Sequence, residues 1–174
     1  TTLVLKAAAA YALNDFEAAE ALFLEKGYGE SLSGDEDEIR TRRIQALEGA
    51  AQFATAQIQY ARALEHYRAA AALTSVERNP LEWARIHHML AYALTYCGLY
   101  PDAEKTLRQV VSAYEKELGA EHPATLSSSN NLANALNAQG KYAEAEERHR
   151  AVLGIRLRLF GLENPYALTS RNNL

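Results

Sequence analysis

The residues of this chain that could do chemistry are few, and their spacing argues against most of it. His87 and His88 are adjacent, and neighbours on a helix point about 100° apart, so the two rings cannot share a metal ion. Glu146 and His149 form a Glu-x-x-His pair, which builds a di-iron site only when it occurs twice with two further glutamates. Here it occurs once. Gly27 and Gly29 lack the third glycine and the following helix signature of a dinucleotide loop, and neither a phosphate loop nor a His-Glu-x-x-His segment is present. Cys97 is the only cysteine, so there can be no intrachain disulfide and no cysteine-built zinc site. The expectation is therefore no catalytic residue, no metal and no cofactor. What remains are neutral amides. Asn130, Asn134 and Asn137 fall on one helical face with Asn131 beside them, while Leu132, Ala133 and Leu136 fall on another. Such a row can both donate to and accept from a peptide backbone.

The elements that must carry these residues are set by repetition. Gly119, Glu121, Pro123, Leu126, Ser128, Asn130, Asn131 and Leu132 recur 42 residues later as Gly161, Glu163, Pro165, Leu168, Ser170, Asn172, Asn173 and Leu174. The same offset of 42 links Leu90, Ala91, Gly98, Tyr100, Ala103 and Glu104 to Leu132, Ala133, Gly140, Tyr142, Ala145 and Glu146. Weaker echoes run back through Tyr60 with Ala63 to Phe16 with Ala19. Periodicity at fixed spacing predicts stacked supersecondary units, approximately 1–35, 36–78, 79–121, 122–163 and 164–174 in a single repeat domain.

Each unit reads as two antiparallel helices, because an apolar 3.6-residue pattern is interrupted by stop and start signals. Asn79 and Asn164 each precede a proline, a cap followed by a first helical position where the missing donor costs nothing. Glu82 with Asn79, and Glu38 with Asp35, would complete capping boxes. Gly98 and Gly140 are expected to close first helices, and Gly119 and Gly161 second helices, in left-handed conformations. Helices are predicted over 2–13, 16–26, 36–57, 60–74, 80–97, 101–118, 123–139, 142–160 and 165–174, with a long loop from Gly27 to Asp37. Ala19, Ala63, Ala103 and Ala145 would let paired helices approach closely, with Phe16, Tyr60, Tyr100 and Tyr142 filling the space between hairpins. The acids from Asp35 to Glu38 followed by Arg40, Arg42 and Arg43 suit the positive end of a helix dipole.

With 174 residues and 48% hydrophobic content there is enough apolar matter for a core. A net charge of -4 argues against general attraction to nucleic acid or anionic lipid. No apolar run approaches the roughly 20 residues that span a bilayer. The lone cysteine fits a reducing, cytoplasmic setting. Thr1 stands where a natural product would begin with methionine, so the chain reads as a piece of a longer protein.

The run Asn130, Asn131, Leu132, Ala133, then Gly140, Lys141, Tyr142, Ala143, Glu144, Ala145, Glu146, resembles the tetratricopeptide repeats of kinesin light chains and their bacterial relatives. Leu118, Gly119, His122, Pro123 and Leu126 match the same family at the junction between units, and the resemblance covers about residues 80–174. It loosens before residue 78, where Ile58 stands in the place of the hairpin glycine. The resemblance implies an all-α, right-handed superhelical solenoid whose first helices line a concave groove for a peptide of a partner protein. Carried over by position, the groove residues are Arg85, His88, Met89, Tyr92 and Tyr96, then Ser127, Asn130, Asn131, Asn134 and Asn137, then Asn172 and Asn173. Gln45, Glu48 and Gln52 hold the equivalent places of the second unit.

Two readings of the asparagine row stay open: contact with a ligand, or hydrogen bonds between neighbouring first helices. Two functions likewise compete. One is a protein-interaction scaffold that binds a peptide, as the sensor or adaptor part of a larger signalling protein. The other is an oligomerisation or spacer module that self-associates through its open repeat ends.

Overall fold

The structure is a computed structural model that describes Ala21, residues 36–161, Pro165, Leu168 and Arg171. Among the described residues the regular elements are six α-helices: α1 (Glu36–Ala56), α2 (Tyr60–Ala71), α3 (Pro80–Tyr96), α4 (Tyr100–Leu118), α5 (Pro123–Ala138) and α6 (Tyr142–Phe160). They pair in order as the hairpins α1/α2, α3/α4 and α5/α6. The chain divides into two compact units, Thr1–Asn79 and Pro80–Leu174, at the junction of two hairpins. The helices expected over 2–13 and 16–26 lie outside the described residues. Of the one expected over 165–174, only Pro165, Leu168 and Arg171 are described, and they are helical.

Predicted and observed boundaries differ most at α2, which stops at Ala71 where periodicity suggested 74. Beyond it Leu73 and Thr74 donate backbone bonds to Ala70 and Ala71, so the chain tightens into three-residue turns. The long loop was expected to reach Asp37. Glu36, Asp37 and Glu38 instead form the first turn of α1, where acids complement the helix dipole. Arg42 bonds Glu38 at 2.6 Å. Asp37 takes Arg78 from beyond α2 as well as Arg40. At α5 the cap is one that Pro123 alone does not reveal: the His122 ring accepts from the Ala124 amide at 3.2 Å.

The turn inside each of the three described hairpins is the same. Gln59, Leu99 and Lys141 donate their amides to Ala54, Leu94 and Leu136 at 2.9, 2.9 and 3.0 Å, the long bond of a Schellman ending. The residue before each donor has positive φ: 76° at Gly98, 77° at Gly140 and 61° at Ile58. A β-branched side chain is held there in the left-handed region, which costs about 1–2 kcal/mol. Gly119 and Gly161 depart from the expected left-handed shape, for ψ of 160° and 177° places them in extended backbone open only to glycine.

Burial supports the alanine reading. Ala63 and Ala103 are fully buried and Ala145 is nearly so. Tyr60 and Tyr100 are half-buried, whereas Tyr142 is 68% exposed and does not fill a gap, since no hairpin follows it among the described residues. In unit 1, Ile44, Leu47 and Ala51 of α1 are buried with Leu64 and Tyr67 of α2. In unit 2, Ala84 of α3 packs with Val110 and Tyr114 of α4, joined by Trp83 and Ala124. One repeat further on, the places of Leu107 and Tyr114 are held by His149 and Arg156, both buried. No helix of the described residues is long and apolar enough to cross a membrane.

Candidate peptide-binding face

In unit 2, α3 and α5 are the first helices of successive hairpins, and they meet through a polar contact. His88 Nδ1 lies 2.7 Å from Ser128 Oγ, and its Nε2 lies 3.3 Å from Asn131 Nδ2. Ser128 is fully buried and donates its own hydroxyl proton to the Ala124 carbonyl at 2.9 Å. Burial lowers the pKa of His88 below the ordinary histidine value and favours a neutral ring. One turn along α3, Tyr92 and Tyr96 hold their rings 4.6 Å apart at 43°, and Tyr96 is 53% exposed. Arg85 is also exposed; burial pushes the Tyr114 hydroxyl pKa up, and the Arg85 charge opposes that rise.

On α5 the asparagines divide. Asn134 and Asn137 are exposed, with no hydrogen-bond partner for their side chains among the described residues. Asn131 is half-buried and bound to His88. Asn130 turns toward α6, where its Oδ1 accepts from His149 Nδ1 at 3.2 Å. His149 Nε2 is then left buried without a partner among the described residues, and burial lowers the pKa of this ring too. Ser127 and Met89 are half-buried, and Asn172 and Asn173 lie outside the described residues. The structure thus joins His88 to Asn131 and Tyr92 to Tyr96, and separates Asn130 from the row. Of the two readings left open by the sequence, the bond between first helices occurs at Asn131, while Asn130 bonds within its own hairpin.

Ser128 is the residue that groove positions missed. Its recurrence as Ser170 in the repeat was the signal available, a hydroxyl at a place that packing makes fully buried. The other histidine of the adjacent pair faces away: His87 stacks on Trp83 at 4.0 Å and bonds the Trp83 carbonyl at 2.9 Å. Glu146 and His149 do not converge, for Glu146 is exposed and pairs with Arg150 at 2.6 Å. Among the described residues no group of three His, Cys, Asp or Glu side chains could hold a metal ion. A cleft of about 320 Å³ lies elsewhere, between α4 and α6 over the start of α5, lined by Glu115, Leu126, Glu147, Arg148 and Ile155 among others.

Antiparallel helix pairs with one recurring turn define the chain as an all-α helical-repeat solenoid, and comparison with solved structures agrees. A kinesin light chain-type protein of Podosopora anserina with nearly identical TPR-like repeats superposes with a TM-score of 0.80, at 24% identity over 99% of this chain and 82% of that one. BtubC (BKLC) from P. vanneervenii gives 0.72 at 18% identity, covering 93% of this chain and 64% of that one. The apo form of RapI gives 0.72 at 15% identity, covering 90% and 55%. A search of curated proteins finds no match by sequence. Residues 83–158 match the tetratricopeptide repeat family model, so this stretch is made of tetratricopeptide repeats, and the fold is of the kinesin light chain-like kind.

Proposed function

We propose that this chain is a protein-interaction scaffold that binds an extended peptide segment of a partner across the face formed by α3 and α5. The observation that carries the reading is the pair of exposed amides of Asn134 and Asn137, without a partner among the described residues and set on the helix next to the exposed Tyr96 ring. Amides can match a peptide backbone in both directions, and aromatic rings supply contact area at low entropic cost. Arg85 adds a cation at the same face of α3, which suits a segment carrying acidic side chains. A place as the sensor or adaptor portion of a longer cytoplasmic signalling protein fits such a surface.

Replacing Asn134 and Asn137 together by alanine tests this. Peptides selected from a random dodecapeptide library on the unaltered chain should bind the double variant at least tenfold more weakly, with the melting temperature unchanged. Equal affinity would remove the reading. The exposure of Leu159 at 41% and Phe160 at 45% favours a second role, self-association at that end of unit 2. Light scattering across a concentration series decides it, and a strict monomer rules it out.

A further inference from the structure

We propose that His88 is a positioning residue: it turns the Asn131 amide so that the carbonyl oxygen of Asn131 is presented to a backbone N–H of the bound segment. The inference rests on the peptide-binding reading of the α3/α5 face and gives that face a hydrogen-bond polarity. It follows from counting protons. The Ser128 hydroxyl has one hydrogen, and that hydrogen goes to the Ala124 carbonyl at 2.9 Å. With that hydrogen on the Ala124 carbonyl, Ser128 accepts from His88 across the 2.7 Å contact, which assigns the ring proton to Nδ1.

A neutral ring that carries its proton on Nδ1 leaves Nε2 as a lone-pair acceptor. The group 3.3 Å from Nε2 must then be the amide nitrogen of Asn131 and not its oxygen. Asn131 Oδ1 is thereby turned away from the ring, and no donor among the described residues meets it. Full burial of Ser128 excludes water from that end of the relay, so the orientation is set by protein groups alone. The next repeat lacks the device: Asn130 occupies the place equivalent to His88 and spends its own Oδ1 on His149. The polarity is thus written at the α3/α5 junction, where both ring nitrogens of His88 are occupied and neither is offered to a ligand.

Nitrogen-15 spectra of the intact chain at neutral pH should show His88 in the Nδ1–H form, and an Nε2–H form would overturn the proposal. A dodecapeptide selected from a random library on the unaltered chain then serves as the probe, each backbone amide replaced in turn by an ester, which removes one N–H donor without adding bulk. One such replacement should weaken binding about fivefold, the worth of a single hydrogen bond. The same replacement should have no effect on His88→Leu, whose Asn131 amide is no longer held. Ser128→Ala provides a milder second variant, because it releases the Nδ1 proton and should also abolish the penalty. An equal penalty in all three proteins overturns the role of His88 and leaves the peptide-binding face standing. If the unaltered chain selects no peptide, the face and the presentation of Oδ1 fall together.

Discussion

Single residues carry the irregularities of this repeat array. Ile58 holds a slot that Gly98 and Gly140 fill in the other described hairpins, at φ of 61° and 74% exposed, so its side chain gains little burial for the strain it imposes. Ile58→Gly should raise stability by about 1 kcal/mol, the left-handed penalty relieved less the backbone entropy that glycine adds. A chemical denaturation midpoint that fails to rise would refute the strain. The opposite experiment belongs to Ala145, nearly buried in α6. Ala145→Leu should overpack its helix contact and cost about 1–3 kcal/mol, visible as a lowered melting temperature. Ile58 was visible in the sequence as a missing glycine, because turn chemistry is local. The fate of Asn130 was not, because its partner His149 lies on the following helix, where packing and not spacing decides the pairing.

Helices are tied to one another by an ionic latch centred on Glu104 of α4. Its carboxylate accepts from Lys141 at 2.6 Å, from Gln139 at 2.8 Å and from Arg108 at 2.8 Å. Arg108 reaches on to Glu144 of α6 at 2.8 Å. The Lys141 bond first, with Arg108 and Gln139 assisting, holds the Glu104 pKa near about 2 against an ordinary 4.5. Since the folded value is depressed, the stabilisation is complete above about pH 4.5 and is lost as pH falls toward 2. Glu104→Gln should lower the neutral-pH stability by about 1 kcal/mol and flatten the acid limb of a stability-versus-pH curve over that window. A curve parallel to that of the unaltered protein would show that the latch contributes nothing. Helix existence and order were legible in the sequence, since apolar periodicity, proline starts and glycine stops are all short-range. The latch was not, because its inter-helix partners sit 35 to 37 residues apart and meet only once α4 and the α5/α6 hairpin dock.

At the level of the molecule, a solenoid is stabilised by each repeat and its nearest neighbours, so its parts need not unfold together. Trp83 is the only tryptophan and packs beside the Ala84, Val110 and Tyr114 cluster of unit 2, while far-ultraviolet dichroism reports every helix. Ile58→Gly should therefore shift the dichroism transition more than the Trp83 fluorescence transition. Equal shifts would mean that the chain melts as one cooperative body.

Local information sufficed for the repeat, the hairpins, their turns and the alanine contacts, because each depends on residues within one or two helical turns or on the 42-residue spacing. Tertiary packing alone decides which polar atoms meet. It buries Ser128, seats His88 between that hydroxyl and Asn131, and sends Asn130 to His149. A hydrogen bond across helices depends on rotation and approach to within a few tenths of an ångström, and neither quantity is written in the order of residues along a single helix.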